Sequence, residues 1–147
     1  GEEAVVEWAG NDNTYGSRYY VDSAKKSGEL ARLKAFVLVD MIGDRNLNIR
    51  RETYSTAWLT DLVWQAAKRL GHTRQFLEEG TPIEDDHVPF LKAGVPSVDI
   101  IDLNHFIARG HWHTAGDNLD AVSARSLQIV GDVLLAALPG IVTHLSK

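Results

Sequence analysis

Acidic and imidazole side chains in this chain gather where apolar runs end. Glu2-Glu3 opens the sequence, and Asp40 closes the run Ala35-Phe36-Val37-Leu38-Val39. Asp85-Asp86-His87 precedes Val88-Pro89-Phe90, and His111-Trp112-His113 follows the apolar stretch 98–103. In open α/β sheets, ligand sites form at the carboxyl ends of strands, so clusters distant in sequence converge there. Carboxylate and imidazole donors without thiolates suit a catalytic zinc with an open coordination position. Crowded carboxyls also suit proton transfer, because neighbouring negative charge holds a proton on one of them. Each cluster has a plainer reading as well. Glu2-Glu3 serves equally as a solvated acidic pair, Asp85 and Asp86 as acids favouring a helix N-terminus, and a single histidine as a surface or core residue. Asp40 is different, because a carboxylate directly after five apolar residues is hard to solvate. Four such clusters in a cysteine-free chain favour a carboxylate/imidazole metal site.

These residues need elements to position them. Residues 35–39 form a continuous apolar run, which predicts a strand covered on both faces. Residues 98–103 predict a second buried strand carrying Asp99 and Asp102, and Leu47-Asn48-Ile49-Arg50 a short edge or connecting strand. Helices are predicted over 17–26 and from an N-cap at Ser55 to about Leu70, with Leu59, Leu62, Val63, Ala66, Ala67 and Leu70 inward and Gly71 as the stop. A short helix over 88–93 closes at Gly94. The last helix, capped by Ser123, is expected to face the core with Leu127, Val130, Leu134 and Leu138 and to kink at Pro139-Gly140. Strands alternating with helices give an α/β fold with a mainly parallel, mixed sheet flanked by helices. Two or three strands do not bury two long amphipathic helices. The chain is therefore expected to be incomplete as a folding unit, its partner strands lying in a separate or cleaved chain.

Composition narrows the function classes. A hydrophobic fraction of 44% and a charged fraction of 24% are those of an ordinary globular protein. With 15 Lys and Arg against 20 Asp and Glu there is no basic stripe for a phosphate backbone, so nucleic acid is not an expected partner. The absence of cysteine excludes disulfides, thiolate metal sites and a thiol nucleophile. The longest apolar-rich segment, 127–145, is interrupted by Gly131, Asp132, Pro139 and Gly140, so no membrane span of ~18 residues is expected. The chain opens on Gly1 without an initiator Met and is read as the continuation of a longer protein.

Gly1-Glu2-Glu3-Ala4, Val39-Asp40-Met41-Ile42-Gly43, Asp85-Asp86-His87-Val88-Pro89-Phe90 with Gly94-Val95-Pro96, and Trp112-His113-Thr114 stand in an order and spacing that resemble the zinc aminopeptidase superfamily. Within it, Trp8 after the Glu pair, Tyr15-Gly16-Ser17-Arg18, Asp85 before Asp86-His87 and Trp112 before His113 are most similar to the glutaminyl-peptide cyclotransferases. The resemblance runs over essentially the whole chain, residues 1–147, as the C-terminal half of one zinc-exopeptidase-like three-layer catalytic domain. It implies that Glu3 and His113 bind zinc and that Glu2 is the general acid/base. Asp40 and Asp85 would share an acidic network with Glu2, Trp112 would line the substrate pocket, and Trp8 would line or support it. His87, His105 and His111 are not among the implied ligands, and His87 is expected to orient the Asp85-Asp86 turn. A further Asp ligand of the family belongs to the upstream half, so this chain supplies two zinc ligands where a catalytic site uses three.

The substrate implied is a peptide N-terminus, whose glutamine is cyclised to pyroglutamate with loss of ammonia over one zinc. A dinuclear zinc aminopeptidase, with Asp40 as a ligand to a second zinc, uses the same residues. A catalytically inactive interaction domain is the third reading. The resemblance favours a secreted or periplasmic location.

Overall fold

A computed structural model describes residues 4–147; the Glu2 and Glu3 expectations lie outside the described residues. Helix α1 (Tyr15–Ser27) and a 3₁₀ turn (Glu29–Arg32) lead into strand β1 (Phe36–Asp40). Then come β2 (Ile49–Glu52), α2 (Ala57–Arg69), β3 (Phe76–Thr81), α3 (His87–Lys92), β4 (Ser97–Ile101), α4 (Leu103–Ala108) and α5 (Ala124–Leu145). β1 pairs in parallel with β4, Phe36 opposite Ser97 through Asp40 opposite Ile101. β2 pairs in parallel with β3, with a register irregularity between Ile49 and Arg51.

The β1–β4 pair is covered by helices on both sides. Successive residues of a strand point to opposite faces. Val98 and Ile100 of β4 join the principal core with Leu59, Val63, Ala66 and Ala67 of α2 and Val130, Val133 and Ala137 of α5. On the other face Phe36 packs with Val21 of α1 and with Phe90 and Val95, its ring stacked on Phe90 at a centroid distance of 3.9 Å. The α/β fold with short parallel sheets between helices is thus the expected one.

Several local expectations change. Among the described residues four strands form, not two or three; β3 was not anticipated, because beyond Phe76 and Leu77 it reads Glu-Glu-Gly-Thr and its middle is exposed. β1 is half-exposed where full cover was expected, with Val39 40% exposed. Asp102 is not in the second buried strand: β4 ends at Ile101, and Asp102 precedes α4. Ser55 is not the cap of α2. Thr56 holds that position, and the Ser55 hydroxyl donates instead to Glu52 (2.8 Å).

Ser123 caps α5 as expected, accepting from the Ser126 N–H at 3.1 Å. The face turned inward differs. Ser126, Ile129, Val130, Val133, Ala137 and Ile141 are buried, whereas Leu127 and Leu138 are about half-exposed. A helix apolar all round offers more than one stripe at helical spacing, so periodicity alone does not choose between them. Gly131, Asp132, Pro139 and Gly140 do not divide α5. It is one 22-residue helix, long and apolar enough to cross a membrane by length and composition, and one stripe of it packs in the core. The expectation that no segment reaches that length is therefore corrected.

Candidate active site

A cavity of about 620 Å³ opens at the carboxyl ends of β1 and β4. Leu38, Asp40 and Met41 leave β1 into it, Ile101 closes β4 beside it, and the segment Pro82 to Asp86 lines another wall. Four residues singled out in the sequence, Asp40, Asp85, Trp8 and Trp112, all line this cavity. His113 follows Trp112, and the two rings stack at 4.1 Å between centroids.

The backbone around this cavity is strained. Among the described residues, three other than glycine have positive φ: Thr14 (49°), Met41 (51°) and His113 (55°). Thr14 and Met41 line the cavity, and His113 adjoins Trp112 on its wall. Left-handed backbone in a residue with a Cβ costs on the order of 1 kcal/mol or more and gathers at functional sites.

The acids here are not equivalent. Burial pushes the Asp85 carboxyl up to about 6, assisted by the charges of Asp40 and Asp86 and opposed by the Asp86 N–H, which donates to it at 2.6 Å. Asp99, fully buried on the neighbouring strand, is pushed to about 9 by burial first and then by the charges of Asp85, Glu52 and Asp40. Asp99 therefore carries a proton at neutral pH. Neither of its carboxyl oxygens hydrogen-bonds among the described residues.

Behind them lies Glu52. Burial would raise its carboxyl, but hydrogen bonds from His87, from the Tyr54 and Ile83 N–H groups and from Ser55 outweigh that and hold it near 2. His87, fully buried, sits with Nε2 at 3.1 Å from Glu52 and Nδ1 at 3.8 Å from Asp99. Glu52 also accepts the Ile83 N–H at 3.1 Å, two residues before Asp85.

Sequence reasoning missed Glu52 and gave Asp99 no role. An acid in the middle of Val98-Asp99-Ile100 was a readable signal. Glu52 gave none, since its partners come from segments 54–55, 83 and 87. Two further acids tie the surroundings together. Asp86 accepts the Ser17 hydroxyl at 2.6 Å, joining α1 to the segment before α3. Asp12 accepts the Val5, Val6 and Glu7 N–H groups and the Tyr15 hydroxyl, and these bonds hold its carboxyl far below the usual range. That knot fixes the segment leading to Trp8.

Comparison with known proteins places this geometry. The model of peptidase family M28 matches residues 1–138. A glutaminyl-peptide cyclotransferase-like protein of Mus musculus is 32% identical over 96% of this chain and 42% of its own length. The crystal structure of a glutaminyl cyclase from an Acidobacteriales bacterium superposes with a TM-score of 0.88 at 46% identity, over 96% of this chain and 50% of that one. A leucine aminopeptidase precursor from Bacteroides thetaiotaomicron superposes with a TM-score of 0.76 at 27% identity, over 92% of this chain and 48% of that one. The chain spans about half the length of the proteins it matches.

Proposed function

Because the chain belongs to peptidase family M28, we propose that it forms the C-terminal half of a zinc-dependent catalytic domain that cyclises N-terminal glutamine. The observation that carries this reading is the meeting of Asp40, Asp85, Trp8 and Trp112 around one cavity at the strand ends. The similarity to glutaminyl cyclases along nearly the whole chain supports it.

Glu3 and His113 are the residues that would hold zinc, with a third ligand from the half of the fold this chain does not cover. An imidazole set on strained backbone at the cavity rim, beside a carboxylate-rich wall, is a donor set that fits a catalytic zinc. Zinc bound there supplies a Lewis acid for the γ-carbonyl of the substrate glutamine. Glu2 takes a proton from the substrate α-amine as the nitrogen attacks the γ-carbon, and returns it to the departing ammonia. Asp85, raised to about 6, and protonated Asp99 behind it keep negative charge from accumulating as that proton moves. Trp8 and Trp112 restrict water, which would otherwise compete with the amine.

Hydrolysis of N-terminal residues is the second reading, supported by the likeness to a leucine aminopeptidase precursor; Asp40 would then bind a second zinc. The experiment is to offer the full-length parent a Gln-initiated peptide and a Leu-initiated amide. Ammonia release with pyroglutamate formation, and little Leu release, is expected. Fast Leu release with two zinc ions per site overturns the cyclase in favour of the peptidase.

A further inference from the structure

Outside the acid-lined cavity, a second group of metal-binding side chains converges beneath α4. Asp44 follows β1, Asp102 precedes α4 and His105 lies in its first turn. One donor atom from each falls within 4.8 Å of the others. Asp44 and Asp102 are fully buried, while His105 is about one-third exposed.

The carboxylates are held at one oxygen and left open at the other. Asp44 Oδ1 accepts the Asn46 N–H at 2.8 Å and the Arg109 guanidinium at 3.0 Å. Asp102 Oδ2 accepts the Asn48 N–H at 2.8 Å. Asp44 Oδ2, Asp102 Oδ1 and His105 Nδ1 have no hydrogen-bond partner among the described residues. An unsatisfied buried carboxylate oxygen is costly. The Oδ2 of fully buried Asp44 is nonetheless turned toward His105 Nδ1 at 3.3 Å without forming a hydrogen bond to it. Tetrahedral zinc, with bonds of about 2.0–2.2 Å, spaces its ligand atoms about 3.3–3.6 Å apart. Asp102 Oδ2 stands 4.0 Å from the same imidazole nitrogen.

We propose that Asp44, Asp102 and His105 form a divalent-cation site of the zinc class, with Arg109 and the Asn46 and Asn48 amides fixing the carboxylates from behind. Such outer partners orient metal ligands. Carboxylate oxygens with one imidazole suit zinc or manganese. The guanidinium cancels one of the two carboxylate charges, so neutral His105 leaves one negative charge for a dication to offset. The exposed edge of His105 is the way in. A cation here ties the β1–β2 connection to α4, and α4 leads through Gly110 to Trp112 and His113. His105 was not among the expected ligands, and the competing arrangement is a protonated His105 serving as the counter-ion itself.

The site stands independently of the cyclase reading, and the test keeps the two apart. The full-length parent, tag-free and bearing His113→Ala, is stripped of metal and titrated with Zn²⁺, with Co²⁺ as the optical probe. One zinc per chain, visible cobalt bands and a zinc-dependent rise in Tm are expected. His105→Gln in that background should weaken binding at least tenfold and abolish the Tm rise, and Asp102→Asn should do the same. If Asp102→Asn does not fold, the partly exposed His105→Gln alone decides. No zinc uptake by the His113→Ala parent, or equal uptake with and without His105, overturns the proposal and leaves the imidazolium as the counter-ion.

Discussion

The two faces of the β1–β4 pair follow opposite rules. Toward α2 and α5 the strands present Val37, Val98 and Ile100, which join the large apolar cluster formed with those helices. Toward α1 and α3 the buried apolar cluster shrinks to Val21, Phe90 and Val95. By strand alternation Asp99 lies on this second face, and His87 and Glu52 are buried beside it. A dry face stabilises by removing apolar surface from water. A face carrying ionisable groups forgoes part of that gain and holds protons at chosen positions. One thin sheet thus keeps its stability on one side and its proton chemistry on the other.

Four experiments sharpen or break this division. Asp85→Asn, on the acid side, should lower turnover of the parent by about 10²–10⁴-fold, the usual range for acid–base groups, with little change in Tm. A drop in Tm without loss of turnover would make Asp85 a structural residue. Ile100→Ala, on the dry side, should cost about 2–5 kcal/mol in denaturant unfolding with KM unchanged. A cost below about 1 kcal/mol would mean that the α2–α5 core is not the main source of stability.

The third experiment is a pH series. Folded, Asp99 keeps its proton to about pH 9, whereas its ordinary value is 3.8. Between those values the folded state binds more protons than the unfolded one, so stability falls as pH rises. Asp85 and Asp102 act in the same direction up to about 6. Glu52, held near 2 against an ordinary 4.5, acts oppositely, adding stability as pH rises from about 2 to 4.5. Above pH 6 the slope belongs mainly to Asp99, so Asp99→Asn should flatten Tm between about pH 6 and 9. Parallel Tm curves for wild type and variant would show that Asp99 is ionised in the fold. The smallest expected effect is that of Met41→Gly. Relieving its positive φ offsets the greater backbone entropy that glycine loses, for a net gain of up to about 1 kcal/mol; a loss of stability would show that the conformation at Met41 is not strained.

The sequence disclosed what short-range pattern controls. Continuous apolar runs located β1 and β4, 3–4 spacing with Gly71 and Gly94 as stops located α2 and α3, and Ser123 marked the start of α5. Asp40, Asp85, Trp8 and Trp112 were legible because motifs mark them, and they do line one cavity. What was hidden depends on chain segments meeting. β3 exists because Phe76 to Thr81 finds β2 as a neighbour. The buried stripe of α5 is chosen by α2 and β4, not by its own composition. Glu52 acquires its role only once Ile83 and His87 reach it.

The outer edge of β4 has a consequence for how the pair is bounded. Ser97 and Asp99 turn their backbone groups away from β1, and among the described residues no strand receives them. The Thr56 hydroxyl accepts the Ser97 N–H at 3.0 Å, the Ser55 hydroxyl accepts the Asp99 N–H at 3.0 Å, and the Ser97 carbonyl takes the Thr56 N–H at 2.7 Å. Two side-chain hydroxyls stand in for a neighbouring strand and seal that selvedge against further pairing. Among the described residues β1 is paired along one side only. Among the described residues the open edge of this pair is therefore that of β1, which ends at Asp40 on the wall of the cavity.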